Sequence, residues 1–114
     1  MKPKIDWKSL ASRHWKGSIN DRRFSALFGL SVAVVEDIWS KLSFAFRTES
    51  LKPVHLLWLL YWFKCYDSDD ASSAVWGVAP DTWRKHRNHA LWVCHETMDE
   101  VRCLKLLQYI FCSA

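Results

Sequence analysis

Apolar residues recur at steps of three and four along most of this chain, and no stretch sustains the alternation of a half-buried strand. Only three glycines and three prolines interrupt it. The pattern predicts an all-α fold, a small bundle of five to six helices. Residues 5–15 give a weak amphipathic start, with Ile5, Leu10 and Trp15 against Lys8, Arg13 and Lys16, closed by Gly17 and Ser18. Asn20 or Asp21 caps a second helix carrying Arg22, Arg23, Phe24, Leu27 and Phe28, which stops at Gly29. Ser31 caps a third, through about Leu42, with Val34, Val35, Ile38, Trp39 and Leu42 on its apolar side. Residues 44–52 read as a polar connection. Pro53 then opens a helix over 54–65 that is apolar nearly all round and must be enclosed, by this domain or by a partner. Asp67, Ser68, Asp69 and Asp70 make a turn and cap, followed by a short helix over 71–76. A long helical stretch runs from Asp81, with Leu91, Cys94, Met98, Val101 and Leu104 at core spacing.

The joint before that last helix is the most informative part of the pattern. Gly77 permits a tight chain reversal. Pro80 suits the first turn of the new helix, where a missing N–H costs nothing. Val78 and Trp83 are spaced to pack the two helices together, with Trp76. This is the organisation of a helix-turn-helix, over about residues 69–90, whose second helix enters the DNA major groove. Arg84, Lys85, Arg87 and Asn88 then read as its outer side, joined by Thr82. Arginine suits guanine or phosphate held by two N–H groups, and Asn88, one turn beyond Arg84, suits adenine. Residues 25–31 echo residues 73–79: a small pair, two apolar residues, glycine, an apolar residue and a small one. The helix after that first joint is apolar and acidic, with Glu36 and Asp37, and would repel phosphate.

Composition sharpens the picture modestly. The chain has 114 residues, half of them apolar and eight of them tryptophan, which suffices for one domain with a sizeable core. At helical spacing the tryptophans read first as core, and only second as platforms for bases. The net charge of +4 favours a polyanion or an acidic surface. It is concentrated early: residues 1–23 hold seven Lys or Arg against Asp6 and Asp21. Residues 1–20 therefore read as a basic N-terminal segment and 21–114 as the helical DNA-binding domain, with Arg22 and Arg23 on phosphates. The first 25 residues contain no apolar core of a secretory signal. The apolar run 56–63 is far short of the roughly 20 residues that span a bilayer, so no membrane partner is expected. Cys65, Cys94, Cys103 and Cys112 form no CxxC pair and read as reduced core thiols of an intracellular protein.

Other chemistry is weakly signalled. His86, His89, Cys94 and His95 suggest zinc, but no second ligand pair accompanies them, so polar-face histidines and a buried cysteine are expected and no cofactor is assigned. Asp67, Asp69 and Asp70 better suit a helix start than a metal cluster. His14 and His55 read as surface or hydrogen-bonded histidines.

Several pieces in order resemble a known family. These are Arg23-Phe24-Ser25-Ala26-Leu27-Phe28-Gly29, then Lys52-Pro53-Val54-His55-Leu56-Leu57-Trp58-Leu59-Leu60, then Phe63-Lys64-Cys65-Tyr66, then Asp81-Thr82-Trp83-Arg84-Lys85. Over roughly residues 22–95 the chain is similar to the N-terminal helical region of eukaryotic Harbinger-type DDE transposases, the DDE superfamily endonucleases. The resemblance implies that this region binds element double-stranded DNA in the nucleus through a helix-turn-helix. In that family a separate RNase H-like domain cuts the strands. Nothing here matches that domain's first aspartate, and residues 101–112 depart from the family's continuation, so no enzyme activity is expected. A rival expectation is a helical interaction module. Its exposed aromatics and a stripe over residues 91–111 would dimerise or dock on a full-length transposase. A transposon remnant without a selected role is the third.

Overall fold

The computed structural model describes residues 5–12, 19–65 and 67–97. Among these residues there are six helices and no strand: α1 (Trp7–Ser12), α2 (Asp21–Phe28), α3 (Val32–Thr48), α4 (Pro53–Cys65), α5 (Asp69–Trp76) and α6 (Pro80–Thr97). The fold is a small all-α bundle.

Local chemistry sets the helix ends. Asn20, Ser31 and Ser68 hold extended backbone and accept the N–H of Arg23, Val34 and Ala71, respectively, satisfying donors that have no partner within the helix. At α4 the Lys52 N–H donates to His55 Nδ1 at 3.0 Å, so an imidazole does half the work of a capping box. Both predicted joints form, with Gly29 at φ 76° and Gly77 at φ 70°. They close differently. Gly29 donates a single N–H to the Ser25 carbonyl, whereas Gly77 and Val78 donate to Ala74 and Ser73 in a Schellman arrangement.

α4 is the central post. Residues 55–61 and Phe63 are all buried, and α1, α2, α3 and α6 pack around them. Each leucine so enclosed contributes roughly 1.5–3 kcal/mol. No second domain is needed to cover this helix. Aromatic side chains fasten the others to it. Trp76 of α5 and Trp83 of α6 lie 6.0 and 5.2 Å from the ring of Trp58. Phe28 of α2 approaches Trp76, and Trp7 of α1 meets Trp39 of α3 edge-on. Most described tryptophans are thus core; Trp62 is half-buried and Trp92 exposed.

Three expectations need correction. α3 does not end near Leu42 but continues to Thr48, because Phe46, four residues after Leu42, extends the buried stripe and packs on Trp39. The connection is therefore only residues 49–52. In α1 the inward residues are Trp7 and Ala11, with Ile5 and Leu10 only partly covered. In α6 the buried stripe runs Trp83, Arg87, Ala90, Val93 and Cys94, which leaves Leu91 at the surface. Arg13, His14, Trp15, Lys16, Gly17, Ser18, Tyr66, Met98, Val101, Cys103, Leu104 and Cys112 lie outside the described residues.

Candidate nucleic-acid interface

The elbow at Gly77 fixes how α6 meets the body. Trp83 is completely buried, and its neighbours one residue to either side, Thr82 and Arg84, are therefore directed outward with Lys85 and Asn88. These four share the exposed face of the first turns of α6. In helix-turn-helix proteins the corresponding part of the second helix is the one that approaches base edges.

Arg87 does not share it. Expected on the outer side with the other cations, Arg87 is only 8% exposed. Position 87 stands four residues after Trp83 and three before Ala90, on the stripe that faces α4 and α5. Its guanidinium lies 4.3 Å above the Trp62 ring and donates Nη1–H to Asp69 Oδ1 at 2.5 Å. Nε and Nη2 both donate to Asn88 Oδ1, at 3.2 and 3.0 Å. The cation that seemed available to phosphate is thus a tie between α4, α5 and α6.

That tie also alters Asn88. Reading adenine takes both ends of the amide, the oxygen accepting and the nitrogen donating. The oxygen's two lone pairs are already taken by Arg87, so Asn88 offers outward only the Nδ2 donor.

Arg84 is exposed but engaged. Nε donates to Asp69 Oδ2 at 2.9 Å, and Nη1 reaches Asp81 Oδ1 at 3.4 Å. The hydrogen bond from Arg84, helped by Arg87, holds the Asp69 carboxyl below its usual range despite some desolvation. Such a pair at the surface is weak and exchangeable. Lys85 is exposed and has no ion pair among the described residues. Around the elbow Asp67, Asp69, Asp70 and Asp81 outnumber Arg84, Lys85 and Arg87 by one. The local field is therefore close to neutral, and the chain's positive charge resides elsewhere. Arg22 and Arg23 stand exposed on the first turn of α2, where Phe24 and Phe28 turn inward and Lys8 pairs with Asp21 at 2.9 Å.

Asp67 and three of the histidines near the joint have structural partners. Asp67 accepts from the Tyr61 hydroxyl at 3.0 Å, pinning the segment between α4 and α5. His55 is buried and stacks on His86 with ring centres 4.5 Å apart and planes 18° from parallel. Burial, and secondarily His86, Lys52 and His89, push the His55 pKa down to about 4. His55 is accordingly neutral with its proton on Nε2, since Nδ1 accepts from Lys52. His86 Nδ1–H donates to the Thr82 carbonyl at 2.9 Å, and His89 Nε2–H to Glu49 at 3.1 Å. His86 is thus no polar-face histidine but a packed one. Among the described residues no group of three or more His, Cys, Asp or Glu is placed to hold a metal ion. Cys94 is buried and Cys65 half-buried, and burial pushes the Cys65 thiol pKa up. No described helix is long and apolar enough to cross a membrane.

The sequence signalled the elbow and the exposed cations. It did not signal Asp69 as their shared acceptor, Trp62 as the bed for Arg87, or the His55–His86 stack, because each joins different helices. No family model, curated protein or solved structure matches the chain.

Proposed function

We propose that this domain binds double-stranded DNA through the first turns of α6, with Thr82, Arg84, Lys85 and the Asn88 amide donor at the groove. Arg22 and Arg23 add phosphate contacts from α2. The observation that carries the reading is the seating of α6. Gly77 and Pro80 start the helix, Trp83 anchors it, and the turn bearing Thr82, Arg84 and Lys85 is left outward. The resemblance to the N-terminal region of Harbinger-type transposases points the same way and carries the expectation of a nuclear location, without strand cutting.

The contact set is smaller than the sequence suggested, and that fixes an expected size of effect. With Arg84, Lys85, Arg22 and Arg23 each neutralising a phosphate, log affinity falls against log salt with a slope of about −3 to −4. Between roughly 50 and 200 mM salt the affinity drops about a hundredfold. Fluorescence anisotropy with a labelled duplex reads both numbers. Arg84→Ala combined with Lys85→Ala weakens binding at least about tenfold at the lower salt, with helix content unchanged. No retention of any duplex at low salt, or binding indifferent to salt, overturns the proposal.

A further inference from the structure

The contact between Arg87 and Asn88 bears on which base the exposed face of α6 can read. A guanidinium carries N–H donors and no acceptor, so the amide atom turned toward it must be the oxygen. Arg87 Nε and Nη2 donate to Asn88 Oδ1 at 3.2 and 3.0 Å, a two-pronged contact that fills both lone pairs. Arg87 is itself held on its other sides. Nη1 donates to Asp69 Oδ1, the Trp62 ring lies 4.3 Å away, and the residue is buried. The amide of exposed Asn88 is therefore fixed with its oxygen toward Arg87, and its Nδ2 hydrogens have no acceptor among the described residues.

An unrestrained asparagine pairs with adenine by accepting from N6–H and donating to N7. With the oxygen filled, adenine N6–H meets no acceptor, and a donor left unpaired in a closed interface is costly. Guanine asks for nothing that Asn88 lacks, because O6 and N7 both accept. Cytosine presents a donor there and is disfavoured on the same ground; thymine, with O4 alone, ranks between. Resting on the reading of α6 as the groove helix, we infer that Arg87 makes Asn88 a donor-only reader, which selects guanine over adenine at the base it meets. Arg87 is a positioning residue: it acts through Asn88 and touches no base. Arg84 and Lys85, beside it, likewise bring donors alone.

Selection from randomised duplexes at near-physiological salt tests this, with the full chain and its Asn88→Ala and Arg87→Met variants. Asn88→Ala should erase the preference at one position of the enriched motif, which locates the base. There the wild-type chain should favour guanine over adenine about tenfold. Arg87→Met frees the oxygen. By anisotropy its Kd for the guanine duplex should stay within about twofold of wild type, while the adenine duplex binds about tenfold more tightly than it binds wild type. A merely structural loss would weaken both duplexes alike. Adenine favoured by the wild-type chain, or one preference shared with Arg87→Met, overturns the inference. So does duplex retained with no base preferred at an Asn88-dependent position, which leaves DNA binding standing. Retention of no duplex overturns both.

Discussion

Arg87→Met separates a cation that holds the fold from one that reads DNA. The wild-type guanidinium has three hydrogen bonds, one to Asp69 and two to Asn88, and a face-on contact with Trp62. Methionine keeps the aliphatic stem and loses the charge. Losing a charge-assisted hydrogen bond costs about 1.5–3 kcal/mol, and losing the cation–π contact about 1 kcal/mol. The opposing gain is that a guanidinium no longer has to leave water, which offsets a good part of this cost. Asp69 keeps Arg84 at 2.9 Å, so no carboxylate is stranded. The balance is a loss of about 1–2 kcal/mol, or about 4–8 °C in melting temperature for a domain of this size. Thermal melts followed by circular dichroism measure that shift, and duplex anisotropy on the same sample measures Kd. The expected result is a lower Tm with Kd within about twofold of wild type. An unchanged Tm together with a tenfold weaker Kd would mean that position 87 faces the nucleic acid, and the reasoning about this helix would fail.

Three further outcomes can be checked. The unfolded His55 side chain has a pKa of 6.5 and the folded one about 4, so between those values only the unfolded chain binds the proton and stability falls as pH drops. The full shift corresponds to about 3 kcal/mol, reduced to about 1–2 kcal/mol by partial solvent screening. His55→Asn, whose Oδ1 can still accept the Lys52 N–H, should flatten that part of a stability–pH profile; an unaltered slope would acquit the imidazole. Gly77→Ala meets nothing within 4 Å of the new Cβ, so its cost is backbone strain at φ +70°, about 1–2 kcal/mol by urea denaturation. A neutral result would mean that the elbow tolerates the left-handed conformation without glycine. Asp81→Asn removes an exposed negative charge beside Arg84 and should tighten DNA binding about two- to threefold at low salt. Weaker binding would indicate that Asp81 orients Arg84 productively.

The parts of this fold that were legible in the sequence are those determined by neighbours along the chain. Asn20, Ser31, Pro53, Gly29, Gly77 and Pro80 each act on their own or the next few peptide groups, and each marks an observed helix boundary or turn. The 54–65 segment, apolar nearly all round, likewise announced its burial, because His55 and Lys64 alone do not make a polar face. The misreadings arose where a residue's environment is supplied across space. Residues 44–48 looked polar enough for a loop, yet Phe46 finds Trp39 and continues α3. Arg87 looked like part of a basic face, yet the α6 stripe set by Trp83 carries it onto Trp62 and Asp69. Apolar spacing alone made Leu91 read as an inward residue, whereas it lies at the surface; the long stem of an arginine can fill the buried stripe when an acid waits at its end.

Trp58, Trp76 and Trp83 belong to α4, α5 and α6, yet the rings of the latter two lie within 6.0 Å of Trp58, and the indole N–H groups of Trp58 and Trp83 are buried without an acceptor among the described residues. Chromophores so close share excitation, and indoles in so dry a setting emit toward the blue. The protein therefore carries an intrinsic optical gauge of whether the α5–α6 pair sits on the central helix. Prising that pair away, by heat, acid or a competing ligand, separates the rings and admits water, changing colour and coupling together without any attached dye.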